Sequence, residues 1–155
     1  MTDWRFCNKC FVMFYDGNER KGQCAAGGEH VAQGLTFNLP ANRPETEQDQ
    51  AHWRFCKKCA AMFFHGSPQN GTCPAGGGHE TASPSKNDYV LRHDVAENFP
   101  RTQSAWRFCS RCFCLFFDGF PEKGNCPAGG PHEAAGFNFV LPTTEKAPTK
   151  LDDNP

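Results

Sequence analysis

Cysteine and histidine residues recur along this chain at a fixed spacing. A cysteine is followed by a second three positions on, by a third fourteen positions further and by a histidine six positions after that, so each unit is C-x2-C-x13-C-x5-H. The unit occurs three times without any change of spacing: Cys7, Cys10, Cys24 and His30; Cys56, Cys59, Cys73 and His79; Cys109, Cys112, Cys126 and His132. Chance does not produce this repetition, so these twelve residues are the first candidates for chemistry.

Three cysteines and one histidine at this spacing predict a tetrahedral metal site. Two cysteines separated by two residues can point both sulfurs at one ion, and we call this pair the knuckle of each unit. The third cysteine and the histidine lie on either side of a glycine-rich loop. Zinc suits three thiolates and a neutral imidazole, whereas iron in an all-sulfur site would prefer a fourth cysteine. We therefore expect three Zn²⁺ ions, one per unit.

Disulfides are the competing explanation for the cysteines. Three cysteines cannot pair within one unit, and a disulfide would not need a histidine at a fixed position. The first residues lack the basic and apolar segments of a signal peptide, and no apolar run approaches the ~18 residues that span a bilayer. A reducing cytoplasm is thus the default expectation, with export by a route that needs no cleaved signal left open, and no membrane partner is expected.

Around these ligands the repeats define three modules. Module 1 spans 2–40, module 2 spans 51–91 and module 3 spans 104–142, with polar linkers at 41–50 and 92–103 and a tail at 143–155 that we expect to be disordered. Glycine and proline interrupt every candidate helix. The sequence predicts small, mostly β, metal-stabilised modules in a tandem zinc-ribbon-like array, either packed with pseudo-threefold symmetry or strung out on their linkers.

Short strands are expected within each module. In module 1 the β-prone run from Phe11 to Tyr15 predicts a strand that enters a turn at Asp16-Gly17, and Phe37 to Leu39 predicts a final strand. Module 2 carries three extra residues around Ser83-Pro84-Ser85 before its final strand. A unit of ~40 residues is at the size where metals or disulfides are usually required for folding, so loss of the metal should unfold the module.

The Trp-Arg-Phe segment before each first cysteine allows two interpretations. Its tryptophan and arginine could form a ligand-binding surface, which makes Trp4, Arg5, Trp53, Arg54, Trp106 and Arg107 candidate contact residues. Alternation along a strand instead places the tryptophan and phenylalanine inward and the arginine outward, and we favour this interpretation.

Other positions have structural explanations. Phe14, Phe63 and Phe116 are expected in the core. Arg5 and Arg107 could pair with Asp16 and Asp118, whereas His65 replaces that aspartate in module 2. Cys114, the tenth cysteine, falls where the other modules have Val12 and Ala61, so a small buried side chain is favoured over a reactive thiol.

The knuckle, carried here by Cys7-x2-Cys10 and its two counterparts, resembles those of zinc-ribbon and zinc-knuckle domains. The nearby tryptophan is also similar to that of RanBP2-type zinc fingers, which bind single-stranded RNA or ubiquitin. Those fingers place the tryptophan two residues before the first cysteine and end in a second cysteine pair, whereas Trp4 lies three residues before Cys7 and the last ligands are Cys24 and His30. The resemblance implies metal ligation only.

Function is expected to be non-catalytic. Four protein ligands leave no position for water or substrate, and His52, His65 and His93 do not recur among the modules, so no acid or base is repeated beside the metal. Threefold repetition favours a multivalent interaction module for a protein or glycan, because linked weak sites gain avidity. Single-stranded RNA or DNA binding through Trp, Phe and Arg surfaces is one alternative, disfavoured by the formal charge of −1, and a structural role in a larger assembly is another.

Overall fold

A computed structural model describes residues 1–82 and 87–144, and within them the chain is all-β. No helix occurs in these residues, and none of them forms a segment that could cross a membrane as a helix. The nine strands are β1 (Trp4–Cys7), β2 (Met13–Tyr15), β3 (Ala32–Phe37), β4 (Asp49–Phe55), β5 (Met62–Phe64), β6 (Tyr89–Arg92), β7 (Thr102–Cys109), β8 (Leu115–Phe117) and β9 (Ala134–Pro142). The three inserted residues of module 2 and positions 145–155 of the predicted tail lie outside the described residues.

Each module is one three-stranded antiparallel sheet. The strand that carries the Trp-Arg-Phe segment is central, so the strand orders are β2-β1-β3, β5-β4-β6 and β8-β7-β9. In module 1, Trp4 lies opposite Tyr15 on one side and Phe37 on the other. Bulky aromatic side chains therefore meet across all three strands of the sheet, which is the packing that gives short strands their stability.

Strand boundaries differ from the prediction for local reasons. β2 begins at Met13 rather than Phe11, because Phe11 has a left-handed backbone (φ 74°) and its N–H closes the knuckle on the carbonyl of Cys7. In module 1 the last strand, β3, ends at Phe37, where the predicted final strand began. The residues of modules 2 and 3 that correspond to Phe37–Leu39 lie instead inside β6 and β9. β4 and β7 begin inside the predicted linkers, where their first residues pair with the ends of β6 and β9.

The three modules contact one another in a closed ring. Bridges between neighbouring modules form at two levels. Each bridge of one set joins a residue of β2, β5 or β8 to the residue just before the equivalent strand of the next module: Phe14 with Ala61, Phe63 with Cys114 and Phe116 with Val12. Each bridge of the other set joins a residue that follows β3, β6 or β9 to a residue within the equivalent strand of the next module: Ala41 with Tyr89, His93 with Phe139 and Thr143 with Phe37. In both sets module 1 contacts module 2, module 2 contacts module 3 and module 3 returns to module 1, which is pseudo-threefold packing rather than a string of separate units.

This ring encloses two cores. The metal core consists of the nine predicted ligand cysteines with Cys114, Val12, Ala61, Phe14, Phe63 and Phe116. The aromatic core consists of Trp4, Met13, Phe37, Leu39, Trp53, Met62, Tyr89, Leu91, Trp106, Leu115, Phe139 and Leu141. Every module contributes to both cores, so neither belongs to a single module.

Tryptophan packing in the aromatic core follows the order of the ring. Trp4 lies edge-on to Tyr89 of module 2, Trp53 to Phe139 of module 3 and Trp106 to Phe37 of module 1, with ring centroids 5.2, 5.3 and 5.4 Å apart. All three tryptophans have no exposed surface. The interpretation of Trp4, Trp53 and Trp106 as exposed ligand-binding residues is therefore corrected, since they are the central side chains of a core shared between modules.

Candidate metal centres

Each module brings its three cysteines and its histidine together in one buried group. The ligand atoms of each group lie within 4.8 Å of one another. In module 1 the sulfurs of Cys7 and Cys24 are 3.9 Å apart, and the Cys10 sulfur lies 3.4 Å from Nδ1 of His30. A regular tetrahedron with Zn–S distances of ~2.3 Å has sulfur–sulfur edges of ~3.8 Å. The same two distances recur in modules 2 and 3.

These groups fit zinc. All ten cysteines are free, which agrees with metal ligation rather than disulfide formation. Three thiolates with one imidazole form a donor set typical of structural zinc, and four protein ligands complete its coordination. The geometry thus supports three zinc sites, one per module, formed by the residues that the spacing predicts.

Backbone hydrogen bonds hold the ligands of module 1 in place. The N–H of Cys24 donates to the carbonyl of Gly28 at 2.9 Å, and the N–H of Gly27 donates back to the carbonyl of Cys24 at 3.0 Å. Gly27 and Gly28 adopt φ values of 99° and 65°, which L-residues rarely adopt. The repeated glycine pair therefore lets this loop turn tightly enough to present Cys24 and His30 to the same ion.

A basic side chain within each knuckle fixes the glycine loop, and the sequence analysis missed it. Lys9 donates to the carbonyl of Gly27 at 2.6 Å and Lys58 to that of Gly76 at 2.5 Å. Arg111 donates to the carbonyls of Ala128 and Pro131. The sequence does carry a sign of this contact, because a lysine or arginine directly precedes the second cysteine in all three modules.

Crowding of the ligands shifts their proton affinities. Hydrogen bonds with Cys10 and Cys24 lower the pKa of the Cys7 thiol far below its usual range, and the first cysteines of the other modules behave alike. Burial lowers the pKa of His30, but hydrogen bonds with Cys24 and Cys7 outweigh burial and raise the pKa to about 9. The first cysteine of each group therefore favours the thiolate form that a metal ligand needs, whereas the histidine must release a proton when a metal binds.

The ligand histidines are also held from their other side. The Nε2–H of His30 donates to the backbone carbonyl of Cys59, in the next module, at 2.8 Å. His79 and His132 make the same bond to the carbonyls of Cys112 and Cys10, at 2.9 and 2.8 Å. Such a bond fixes which ring nitrogen faces the metal. Nδ1 is thereby assigned as the ligand atom in all three sites.

Phenylalanine rings cover the imidazoles. Phe14, Phe63 and Phe116, predicted as core residues, have no exposed surface and stack on His30, His79 and His132 with ring centroids 4.7–4.9 Å apart. The stacking excludes water from one face of each ligand histidine.

The arginines of the Trp-Arg-Phe segments make intramolecular contacts. Arg5 lies 3.8 Å from Asp16 and Arg107 lies 3.8 Å from Asp118, the pairs that the sequence left open. Both also donate to backbone carbonyls of their own module, including those of Gly34 and Gly136. Arg5 is only 9% exposed, so it is not the fully solvated arginine that a ligand-binding surface would offer.

Module 2 replaces these pairs with others. Arg54 lies 3.3 Å from Asp88, a partner that the sequence analysis did not foresee. His65, at the position of Asp16, hydrogen-bonds Asn70 at 3.0 Å, where module 1 has the ion pair of Asp16 with Lys21. Relative to module 1, module 2 thus has His in place of Asp and Asn in place of Lys, so a neutral hydrogen bond replaces the ion pair. This paired change explains why the aspartate does not recur.

Cys114 lies in the metal core between modules 2 and 3. Its sulfur is 3.4 Å from Nε2 of His79, the nitrogen that faces away from the metal group. A hydrogen bond with Cys112 lowers the pKa of Cys114, but burial and the charge of neighbouring cysteines raise it above the usual value overall. Cys114 is therefore a buried neutral thiol, and it is outside the three ligand sets.

Comparisons with protein-family models, curated proteins and solved structures gave no match to this chain. The Cys3His groups make the modules zinc-finger-like. The likeness to RanBP2-type fingers or to zinc ribbons receives no support beyond the knuckle itself.

Proposed function

We propose that this protein is a non-catalytic zinc-stabilised scaffold that binds a protein or glycan partner through the joined surfaces of its three modules. The observation that carries the proposal is the closed metal site. Each group supplies four protein ligands, and the outer nitrogen of each histidine already donates to a backbone carbonyl. Catalytic zinc keeps a coordination position for water or substrate, so these sites favour a structural role for the metal.

The closed ring supports multivalent binding. Avidity depends on sites being held at distances that one partner can span. Bridges between all three pairs of modules fix the positions of the modules relative to one another. A partner with repeated epitopes could therefore engage several modules without first ordering flexible linkers.

Surface chemistry differs between the modules, and module 3 carries two exposed phenylalanines. Phe120 and Phe137 are 45% and 40% exposed. At the position of Phe120, modules 1 and 2 have Asn18 and Ser67, and at that of Phe137 module 2 has Asn87. Exposed aromatic side chains are common anchors for protein and glycan partners, so we place the strongest partner contact on module 3.

Nucleic-acid binding is the weaker candidate. The repeated tryptophans are fully buried, so bases could stack only on other aromatic side chains that are exposed, such as Phe120 and Phe137. Zinc binding by nine thiolates would lower the formal charge of −1 by a further three units. This negative charge disfavours attraction of a phosphate backbone.

Binding is tested with the zinc-loaded, full-length protein on a glycan array and in a pull-down. The chain itself suggests the variants, because Phe120→Ser and Phe137→Asn install the residues that module 2 has at these positions. We expect the double variant to lose at least tenfold in affinity for whatever ligand the parent protein captures. The matched control is Val31→Ser, which removes an exposed apolar side chain from module 1 and should bind like the parent.

Three results would contradict the proposal. These are no ligand in either assay, equal binding by the double variant and the control, or binding to mixed oligonucleotides that weakens steeply with salt. The last result would instead support the nucleic-acid alternative.

A further inference from the structure

We propose that the three zinc sites fill as one cooperative unit, coupled by a closed circle of hydrogen bonds from each ligand histidine to the knuckle of the next module. This inference concerns the metal sites themselves and is independent of the partner that the protein binds.

The hydrogen bonds join ligand to ligand. The donor is a metal-ligating imidazole, and the acceptor is the carbonyl of a cysteine that ligates the next metal: His30 to Cys59, His79 to Cys112 and His132 to Cys10. Donors and acceptors are buried. A buried acceptor or donor that loses its partner is destabilised, so an unformed knuckle in one module weakens the orientation of the histidine in the module before it.

A second hydrogen bond runs beside each of these. The residue after the second cysteine is Phe11, Ala60 or Phe113, and its backbone is left-handed in all three modules. The carbonyls of Phe11, Ala60 and Phe113 accept the N–H groups of Phe117, Tyr15 and Phe64, respectively, each from the preceding module and at 3.0 Å. The left-handed turn of each knuckle is thus held by the neighbouring sheet as well as by its own metal.

Glycines fix the distance between modules at these contacts. A Cβ at Gly71 would overlap the carbonyl oxygen of Cys112 and approach the Cβ of Phe113 to 2.6 Å. Gly22 and Gly124 stand in the same relation to the knuckles of modules 2 and 1. The preceding module therefore packs directly on the backbone that presents the second cysteine, and this explains why the glycine recurs.

Closure of the circle produces the cooperativity. In an open array the first knuckle would support no histidine and the last histidine would have no knuckle, whereas here each knuckle supports one histidine and each histidine depends on one knuckle. Zinc bound in one module orders the knuckle of that module, and the knuckle carbonyl orients the ligand histidine of the preceding module. Each bound zinc therefore raises the affinity of the remaining sites for zinc. Coupling between sites is typically about 5–150-fold in affinity. Groups that hydrogen-bond a metal ligand typically contribute about 10–100-fold to metal affinity.

Native mass spectrometry during zinc titration of the metal-free protein tests the proposal directly. At half saturation we expect mainly the zinc-free and three-zinc forms. Independent equal sites would instead place about three quarters of the protein in one-zinc and two-zinc forms. That distribution, in the unaltered protein, would overturn the proposal.

A pair of glycine variants tests whether the inter-module contact carries the coupling. Gly71→Ala inserts a methyl group at the contact, whereas a Cβ at Gly136, which lies outside the ligand loops, would meet nothing within 4 Å. Both glycines have positive φ, 73° and 75°, so Gly136→Ala carries the same backbone strain as Gly71→Ala and serves as its control. Only Gly71→Ala should populate one-zinc and two-zinc forms, with at least a tenfold loss of affinity at the second and third zinc.

Cysteine alkylation during chelation adds a site-resolved readout. In the parent and in Gly136→Ala, the three sets of ligand cysteines should lose protection at one common rate, whatever the overall affinity. In Gly71→Ala the sets should separate into different rates. Equal behaviour of the two variants would show that the contact does not transmit metal binding, and the proposed route of coupling would then be wrong.

Discussion

The metal core and the aromatic core are formed by the same three modules, but different chemistry stabilises them. In the metal core the central groups are cysteines, which bury thiolate charge and depend on a cation to neutralise it. In the aromatic core the central groups are tryptophans and aliphatic side chains, which are stabilised by removal from water. The indole N–H groups of Trp53 and Trp106 also donate to Gln50 and Gln103. Both cores are shared around the ring, so each also serves as the interface between modules.

This difference explains why the two cores tolerate sequence variation to different extents. The aromatic core accepts Phe37, Tyr89 and Phe139 at one position and Met13, Met62 and Leu115 at another. In the metal core, each of the four ligand positions carries the same residue type, Cys or His, in all three modules. An apolar site tolerates side chains of similar volume, whereas coordination requires particular donor atoms at particular distances. We therefore expect perturbations of the two cores to have different signatures.

Removal of zinc should have the largest effect. Structural zinc contributes about 10–16 kcal/mol of apparent binding free energy per site, and whole domains are stable by only about 5–15 kcal/mol. A strong chelator should thus abolish cooperative unfolding, as measured by circular dichroism and near-ultraviolet absorption of the tryptophans. Addition of excess zinc should restore the fold. A metal-free protein that still unfolded cooperatively would show that the aromatic core suffices by itself.

Truncation in the aromatic core should destabilise the protein without removing metal. Trp53→Ala deletes a fully buried side chain that contacts Phe139 of the next module, and we expect a loss of about 3–5 kcal/mol in the free energy of unfolding. Urea denaturation measures the loss, and elemental analysis of the folded variant should still return three zinc equivalents. Lys57→Ala, at an exposed position with an ion pair to Glu80, serves as the control and should cost at most about 0.5 kcal/mol. A loss of zinc from Trp53→Ala would mean that the two cores are not separable.

The smallest effect is expected at Cys114. Module 2 has an alanine at the equivalent position, Ala61, in the same metal core. Cys114→Ala should therefore lower the free energy of unfolding by about 1 kcal/mol, because it removes one buried atom without removing a ligand. Zinc content should stay at three equivalents, and urea denaturation gives the stability. A fall to two equivalents would show that Cys114 is required by the site of His79.

Much of the candidate site was predictable because metal ligation is local. All twelve ligands and their grouping by module follow from residue types and spacing, since a knuckle and a loop of fixed length can reach only one ion. Burial of the tryptophans also agrees with the interpretation that alternation favoured. The outward direction predicted for the arginine was wrong for Arg5, which is only 9% exposed, and its pairing with Asp16 was one of two open alternatives. The repeated lysine or arginine of the knuckle, by contrast, was present in the pattern and overlooked.

Contacts between modules were not predictable in the same way. The repeats share their ligand spacing, and this local pattern is compatible with separate units on linkers and with a closed ring. Nothing in one copy of the motif indicates that the outer nitrogen of His30 will meet the carbonyl of Cys59, or that Gly22 will pack against that knuckle. The extension of β4 and β7 into the predicted linkers has the same origin, because those residues become strands by pairing with distant ones.

The sequence by itself determined three metal sites, their ligands and the β character of the modules, and it favoured an inward direction for the tryptophans. Only the tertiary structure decided that the modules close on one another, that two cores are shared and that each metal site is supported by the next. The physical reason is range: coordination and strand alternation act over a few residues or one loop, whereas the packing of one module on another depends on surfaces brought together from across the whole chain.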